Sequence, residues 1–179
     1  MLETRSRIRL LSRTVRALCV LGTLCLIGVS TYLWTSSQWL QAVAAGPWGL
    51  GAFAVQLNLH NRLLGAAASS LSLAASLYML WQIWSLFGAY ERGQVLTKAA
   101  VLRMHGVAIG MLALALAQPL SMTLIGLALT MDNPAGHRAL VVGLSWNDYL
   151  TLLFGLVMLA IASVMAEAVA IADENAGFV

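Results

Sequence analysis

Residues 104–130, MHGVAIGMLALALAQPLSMTLIGLALT, contain no Asp, Glu, Lys or Arg. An α-helix needs about 20 predominantly apolar residues to cross a hydrocarbon core of roughly 30 Å, and this stretch exceeds that length. The whole chain has a similar character, since 60% of its residues are hydrophobic and only 9% are charged. Soluble domains are about a quarter charged. The sequence therefore predicts an integral membrane protein.

Three further apolar stretches are long enough to cross a bilayer. The first follows an arginine-rich N-terminus that resembles a secretory signal, but its apolar run is longer than the usual run of about 7–15 residues, so we expect this helix to stay attached. We predict an all-α polytopic membrane protein, a four-transmembrane-helix bundle that forms one membrane domain over residues 1–179. The expected spans are residues 15–34, 63–87, 104–130 and 149–171, with a cytoplasmic hairpin at 88–103 and outer loops at 35–62 and 131–148.

The distribution of positive charge predicts the orientation of the chain. The two tails and the 88–103 hairpin together hold eight Lys and Arg, whereas the other two loops hold only Arg62 and Arg138. By the positive-inside rule, both termini are cytoplasmic. The N-terminal arginines suit the anionic headgroups of a lipid bilayer. They run straight into an apolar helix without a folded basic domain, so we expect no direct binding of nucleic acid. Five arginines form this cluster: Arg5, Arg7, Arg9, Arg13 and Arg16.

Several loop residues indicate local order. Thr97 is a candidate N-cap for a helix that runs through Arg103 into the third span, and Gly93 suits the left-handed end of the preceding helix. Ser145 and Asp148 have the spacing of a capping box at the start of the fourth span. The long outer loop is expected to include a short amphipathic helix on the membrane surface. An outer turn is expected at residues 132–136, DNPAG.

Small residues recur along the spans at helical spacing, most clearly as Gly106-x-x-x-Gly110. Such stripes allow transmembrane helices to approach closely, and here they predict a compact bundle. The partner of this stripe could be another helix of the same chain or a second copy in a homo-oligomer. The spacing alone does not distinguish the two.

No catalytic, nucleotide-binding or metal-binding motif is found in the sequence, so we expect neither an enzyme nor a cofactor. One intramembrane polar residue stands out, because Gln118 precedes Pro119 in the middle of the third span. Gln118 either bonds across the bundle beside a proline kink or contributes to a solute-binding or gating site. Glu167, near the inner end of the fourth span, is expected to pair with Arg103 or Lys98.

The 88–103 hairpin carries a family resemblance. Tyr90, Gly93, Thr97, Val101 and Gly106 stand in the order of a Tyr-x-x-Gly-x-x-Phe-Thr-x-x-Asn-Val-x-x-Leu-Arg-x-x-Gly signature, with Leu96 in place of Phe and Ala100 in place of Asn. Arg103 follows Leu102 earlier in the chain than the signature places this pair. In this respect the chain resembles a bacterial family of four-span membrane proteins catalogued as domain of unknown function twenty-nine seventy-five. Residues 164–168 and 173–179 are similar to that family's closing segment. The resemblance implies the bacterial inner membrane and the four-span fold.

Members of that family are often encoded beside a small helix-turn-helix regulator. The resemblance therefore implies a membrane sensor or tether that docks a small cytoplasmic DNA-binding regulator on its hairpin and acidic C-terminal tail. The absence of the signature Asn at Ala100 leaves any role of that amide in doubt. The alternative is a small-solute channel or transporter subunit built around Gln118 and Pro119. The candidate docking residues are Tyr90, Glu91, Arg92, Gly93, Thr97 and Arg103.

Overall fold

A computed structural model describes residues 2–95, 97–134 and 137–176, with the side chains of residues 8–175 in these ranges. Predictions about the side chains of Arg5 and Arg7, and about Leu96, residues 135–136 and residues 177–179, lie outside this part. The described residues form helices and loops without a strand, which confirms the all-α class. The helices are α1 (Leu2–Thr35), α2 (Ser37–Ala45), α3 (Leu59–Glu91), α4 (Lys98–Thr130) and α5 (Trp146–Ala176).

Four of these helices, α1, α3, α4 and α5, are long and apolar enough to cross a membrane. Each of the four predicted spans lies within one of them, and every one of these helices begins before its predicted span. The predicted capping box starts α5, because the backbone N–H of Ser145 donates to the carboxylate of Asp148 at 2.8 Å and the N–H of Asp148 donates to the Ser145 hydroxyl at 3.2 Å. The predicted loop at residues 35–62 contains the expected short helix, α2.

The four long helices pack in an open row that follows the order of the sequence. Helix α1 contacts α3, α3 contacts α4, and α4 contacts α5, whereas α1 and α5 do not approach each other in the described residues. The row leaves most of the apolar surface of α1, α3 and α5 exposed, and α4 is the most buried of the four. This arrangement is more open than the compact bundle that the small-residue stripes predict, because those stripes join neighbouring helices without closing the row.

Close contact between α3 and α4 uses glycines and a serine pair. A Cβ atom placed on Gly110 would lie 3.0 Å from the Cβ of Met79, and the side chain of Gln82 covers Gly106. The Ser72 hydroxyl donates to the Ser121 hydroxyl at 2.7 Å. The Gly106-x-x-x-Gly110 stripe therefore packs against α3 of the same chain.

The loops opposite the 88–103 hairpin form a folded layer over the helix ends. Leu40, Ala44 and Leu50 share a buried cluster with Ile125 and Leu129 of α4. Polar contacts reinforce this cluster, since the Asn133 amide donates to the carbonyl oxygens of Ala54 at 2.8 Å and His137 at 3.0 Å. Residues 36–58 are therefore an ordered part of the fold.

Candidate functional site

The hairpin between α3 and α4 has a defined backbone conformation. Helix α3 ends at Glu91, and the N–H of Gly93 donates to the carbonyl of Tyr90 at 3.0 Å. Gly93 has a φ of 80°, the left-handed conformation predicted for it, which glycine adopts without a steric penalty. Thr97 caps α4, because its hydroxyl accepts from the N–H of Ala100 at 3.2 Å. The predicted helix end, glycine and cap are all confirmed.

Glu91 ties this hairpin to α1. Its carboxylate accepts from Nε of Arg13 at 2.8 Å and from Nη1 of Arg16 at 2.6 Å. The Arg16 guanidinium also lies over the ring of Trp84, 4.6 Å from its centroid. Sequence reasoning placed Glu91 among the docking residues and did not foresee this contact, since the partners lie more than 70 positions apart. A bridge of two charge-assisted hydrogen bonds holds the N-terminal half of α1 against the end of α3.

Arg103 is held by residues of α3 near the same end of the helices. Its Nη1 donates to the side-chain oxygen of Gln82 at 3.2 Å, and its guanidinium lies 5.0 Å from the ring centroid of Trp81. Gln82 is buried and donates in turn to the Tyr78 hydroxyl at 2.8 Å. Sequence reasoning missed Gln82, although an amide between two tryptophans near a span end is a detectable signal.

The expected partners of Glu167 are engaged elsewhere. Lys98 forms an ion pair with Asp173 at 3.0 Å, and Arg103 bonds Gln82. Glu167 is exposed and has no ion pair within the described residues, so its predicted pairing with Lys98 or Arg103 is wrong. The reason is helical phase: Glu167 follows Ala166 by about 100° and points away from the α4-facing stripe that contains Ala162.

Gln118 does not bond across the bundle. Its side chain is exposed and makes no hydrogen bond within the described residues. The polar contact in mid-span is instead made by Ser72, whose hydroxyl reaches Ser121 and, at 3.2 Å, the carbonyl of Ala117. Gln118 lies one helical step from Ala117, which turns its side chain away from α3. The α-helix continues through Pro119, and a kink there stays a prediction.

A cleft of about 440 Å³ opens beside the hairpin. Two apolar side chains, Ile8 and Val95, and the charged side chains of Arg9 and Arg92 contribute to its walls. Four of the predicted docking residues line it. The complete lining is Ile8, Arg9, Tyr90, Glu91, Arg92, Gly93 and Val95.

A family model described as Protein of unknown function (DUF2975) matches residues 52–177, about seven tenths of the chain. The chain belongs to the DUF2975 family. The DUF2975 match includes the hairpin, Glu91 and the three long helices α3, α4 and α5, and it begins after the end of α1. No curated protein and no solved structure shows significant similarity to this DUF2975 member.

Proposed function

We propose that this DUF2975 protein is a non-enzymatic protein of the bacterial inner membrane that docks a small cytoplasmic DNA-binding regulator beside its hairpin. The observation that carries the proposal is the cleft of about 440 Å³ formed by the hairpin and the first described side chains of α1. In this role the protein senses a signal at the membrane and tethers or releases the regulator.

The surface of the hairpin suits recognition of a folded partner. Arg92, Gln94 and Val95 are exposed, while the backbone that carries them is fixed by the Gly93 turn and the Thr97 cap. A surface that is already ordered loses little conformational entropy when a partner binds. The walls combine apolar and charged groups, as protein interfaces do.

The C-terminal end of α5 extends the same surface with negative charge. Asp173 and Glu174 are exposed, and Asp173 reaches Lys98 at the start of α4. A partner would therefore meet arginines in the cleft and carboxylates on α5. Complementary charges on that partner would determine its orientation and speed its association.

Site-specific photocrosslinking in native membranes tests this proposal. Photoreactive residues at Arg92 and Gln94 are compared with one at His60, an exposed position at the opposite ends of the helices. We expect the hairpin positions, and not His60, to yield an adduct with a soluble DNA-binding protein, identified by mass spectrometry. Adducts only with lipid or with a second copy of the chain would refute the docking role.

A second candidate function, a small-solute channel or transporter subunit, is favoured by the exposed amide of Gln118 within an apolar span. An unpaired amide in hydrocarbon is costly, and contact with other copies would satisfy it. Because α1 and α5 do not contact each other, one chain does not enclose a pore within the described residues. A channel function therefore requires a homo-oligomer that encloses the path of the solute. It predicts a solute flux in proteoliposomes that Gln118→Leu abolishes, whereas unchanged flux removes this candidate.

A further inference from the structure

A groove runs between α1 and α3 on the surface of the apolar spans. It encloses about 340 Å³, and its walls are almost entirely apolar. Two tryptophans, Trp81 and Trp84, stand at the end of the groove nearest the hairpin. Farther along, its main lining residues are Val20, Leu24, Leu77 and Leu80.

A basic pocket of about 210 Å³ continues this groove toward the hairpin. Trp84 borders both spaces. Arg16, Arg92 and Arg103 line the pocket together with the polar residue Gln94, and no Asp or Glu belongs to its lining. Groove and pocket together give a site that is apolar along one part and strongly basic at one end.

The three arginines retain hydrogen-bonding capacity for an anion. Arg16 uses Nη1 for Glu91, and its buried Nε–H has no acceptor within the described residues. Arg103 gives one N–H to Gln82. Arg92 forms no ion pair within the described residues. Guanidinium groups bind phosphate oxygens with paired, charge-assisted hydrogen bonds, so this pocket has the chemistry of a phosphate site.

We propose that the α1–α3 groove binds an anionic phospholipid, with its phosphate among Arg16, Arg92 and Arg103 and an acyl chain against Leu24, Leu77 and Leu80. From Arg16 to Leu24 the helix rises about 12 Å at 1.5 Å per residue. This distance fits within one leaflet, which is half of a hydrocarbon core of roughly 30 Å. The apolar groove identifies a lipid as the source of the phosphate, because a free anion would leave that surface unused.

The tryptophans position the basic groups at the depth where a headgroup begins. The guanidinium carbon of Arg103 lies 5.0 Å from the ring centroid of Trp81. The guanidinium carbon of Arg16 lies 4.6 Å from the ring centroid of Trp84. Tryptophan prefers the membrane interface, and its ring face attracts a cation. The stacked pairs therefore hold two of the three guanidinium groups in place before a lipid arrives.

Native mass spectrometry of the detergent-purified full chain tests this site. The protein is incubated with equal amounts of phosphatidylglycerol and phosphatidylcholine, and the lipids that stay bound are identified by their mass. We expect the wild type to retain phosphatidylglycerol preferentially. Arg92→Gln should lower that preference about five-fold, as should Arg103→Gln. Arg138→Gln, at an exposed arginine on the opposite side, is the matched control and should leave it unchanged.

Three outcomes would overturn the proposal. Equal retention of the two lipids would show that the arginines do not select a headgroup. An unchanged preference in Arg92→Gln would place the lipid elsewhere. The Arg92 side chain makes no hydrogen bond within the described residues, so we expect this variant to fold like the wild type. Displacement of phosphatidylglycerol by an equal concentration of glycerol phosphate would identify a site for a soluble anion. None of these readouts depends on a soluble regulator, so the site and the docking function can fail separately.

Discussion

Replacing Gly110 by Ala tests whether α3 and α4 are held together by close backbone contact. The added Cβ would lie 3.0 Å from the Cβ and 3.1 Å from the Cα of Met79. The second of these atoms is backbone, so the two helices must separate by a few tenths of an ångström. Overpacking of this kind costs about 1–3 kcal/mol, and the better helix propensity of Ala returns about 0.5–1 kcal/mol. We expect a net loss of stability on the order of 1–2 kcal/mol.

Gly28→Ala is the matched control for this substitution. Gly28 also lies inside a long helix, but an added Cβ there has no neighbour within 4 Å. Only the propensity gain remains, so stability should be unchanged or rise by up to ~1 kcal/mol. The assay is reversible unfolding by dodecyl sulfate in mixed micelles, followed by circular dichroism. If both variants unfold at the same detergent fraction as the wild type, the close approach of α3 and α4 is not what stabilises the fold.

Three other contacts lead to further predictions. Ser72→Ala should cost about 0.6 kcal/mol, and a double-mutant cycle with Ser121→Ala should show that the two hydroxyls are coupled. Thr97→Ala should cost about 0.5–2 kcal/mol and speed hydrogen exchange in the first turn of α4. Glu91→Gln should lower the thermal midpoint more at low than at high ionic strength, because salt screens the attraction between partly exposed charges. The matched change Glu174→Gln, at an exposed position, should show no such dependence.

Each of these predictions can fail in its own way. Additive effects in the Ser72 cycle would mean that the two hydroxyls act independently. If Thr97→Ala leaves hydrogen exchange at the start of α4 unchanged, Thr97 does not cap this helix in the membrane-embedded protein. If Glu91→Gln and Glu174→Gln behave alike at every ionic strength, the contact between α1 and the hairpin contributes nothing to stability.

The sequence predicts the spans, the helix caps and the Gly106–Gly110 packing face, because each depends on residues close together in the chain. Length and apolarity locate a span, and a cap needs only the four residues around Thr97 or Ser145. The partner of the glycine face could not be predicted. Gly106 and Gly110 meet Gln82 and Met79 of α3, and a spacing of four residues carries no information about the facing helix.

The direction of Gln118 could not be predicted for a different reason. Helix α4 is apolar on every side, so no amphipathic period indicates which face is buried. In a soluble protein, the hydrophobic period of a helix distinguishes its buried face from its solvent-exposed face. In a bilayer, the lipid-facing residues are apolar as well, so the period does not show which face is buried. The same limit applies to Glu167, whose orientation depends on how α5 is rotated against α4.

The polar contacts of the loops depend on residues far apart in the sequence. Asn133 reaches Ala54, and Glu91 reaches Arg13 and Arg16, across more than 70 positions. Each side chain is ordinary for a loop or a helix end, and only the packed fold brings the partners together. The basic pocket formed by Arg16, Arg92 and Arg103 was missed because its three arginines come from the interior of α1, the end of α3 and the start of α4.

The sequential row of helices has a consequence for how the protein is made. A membrane protein is inserted from its N-terminus, and domains generally fold in the order in which they are synthesised. Here α3 packs against α1, α4 against α3 and α5 against α4, so each long helix after α1 finds its neighbour already in the bilayer when it leaves the ribosome. Each long helix packs only against the long helices translated directly before and after it. Its packing surface therefore does not depend on a helix that is translated much later. Assembly can therefore keep pace with translation.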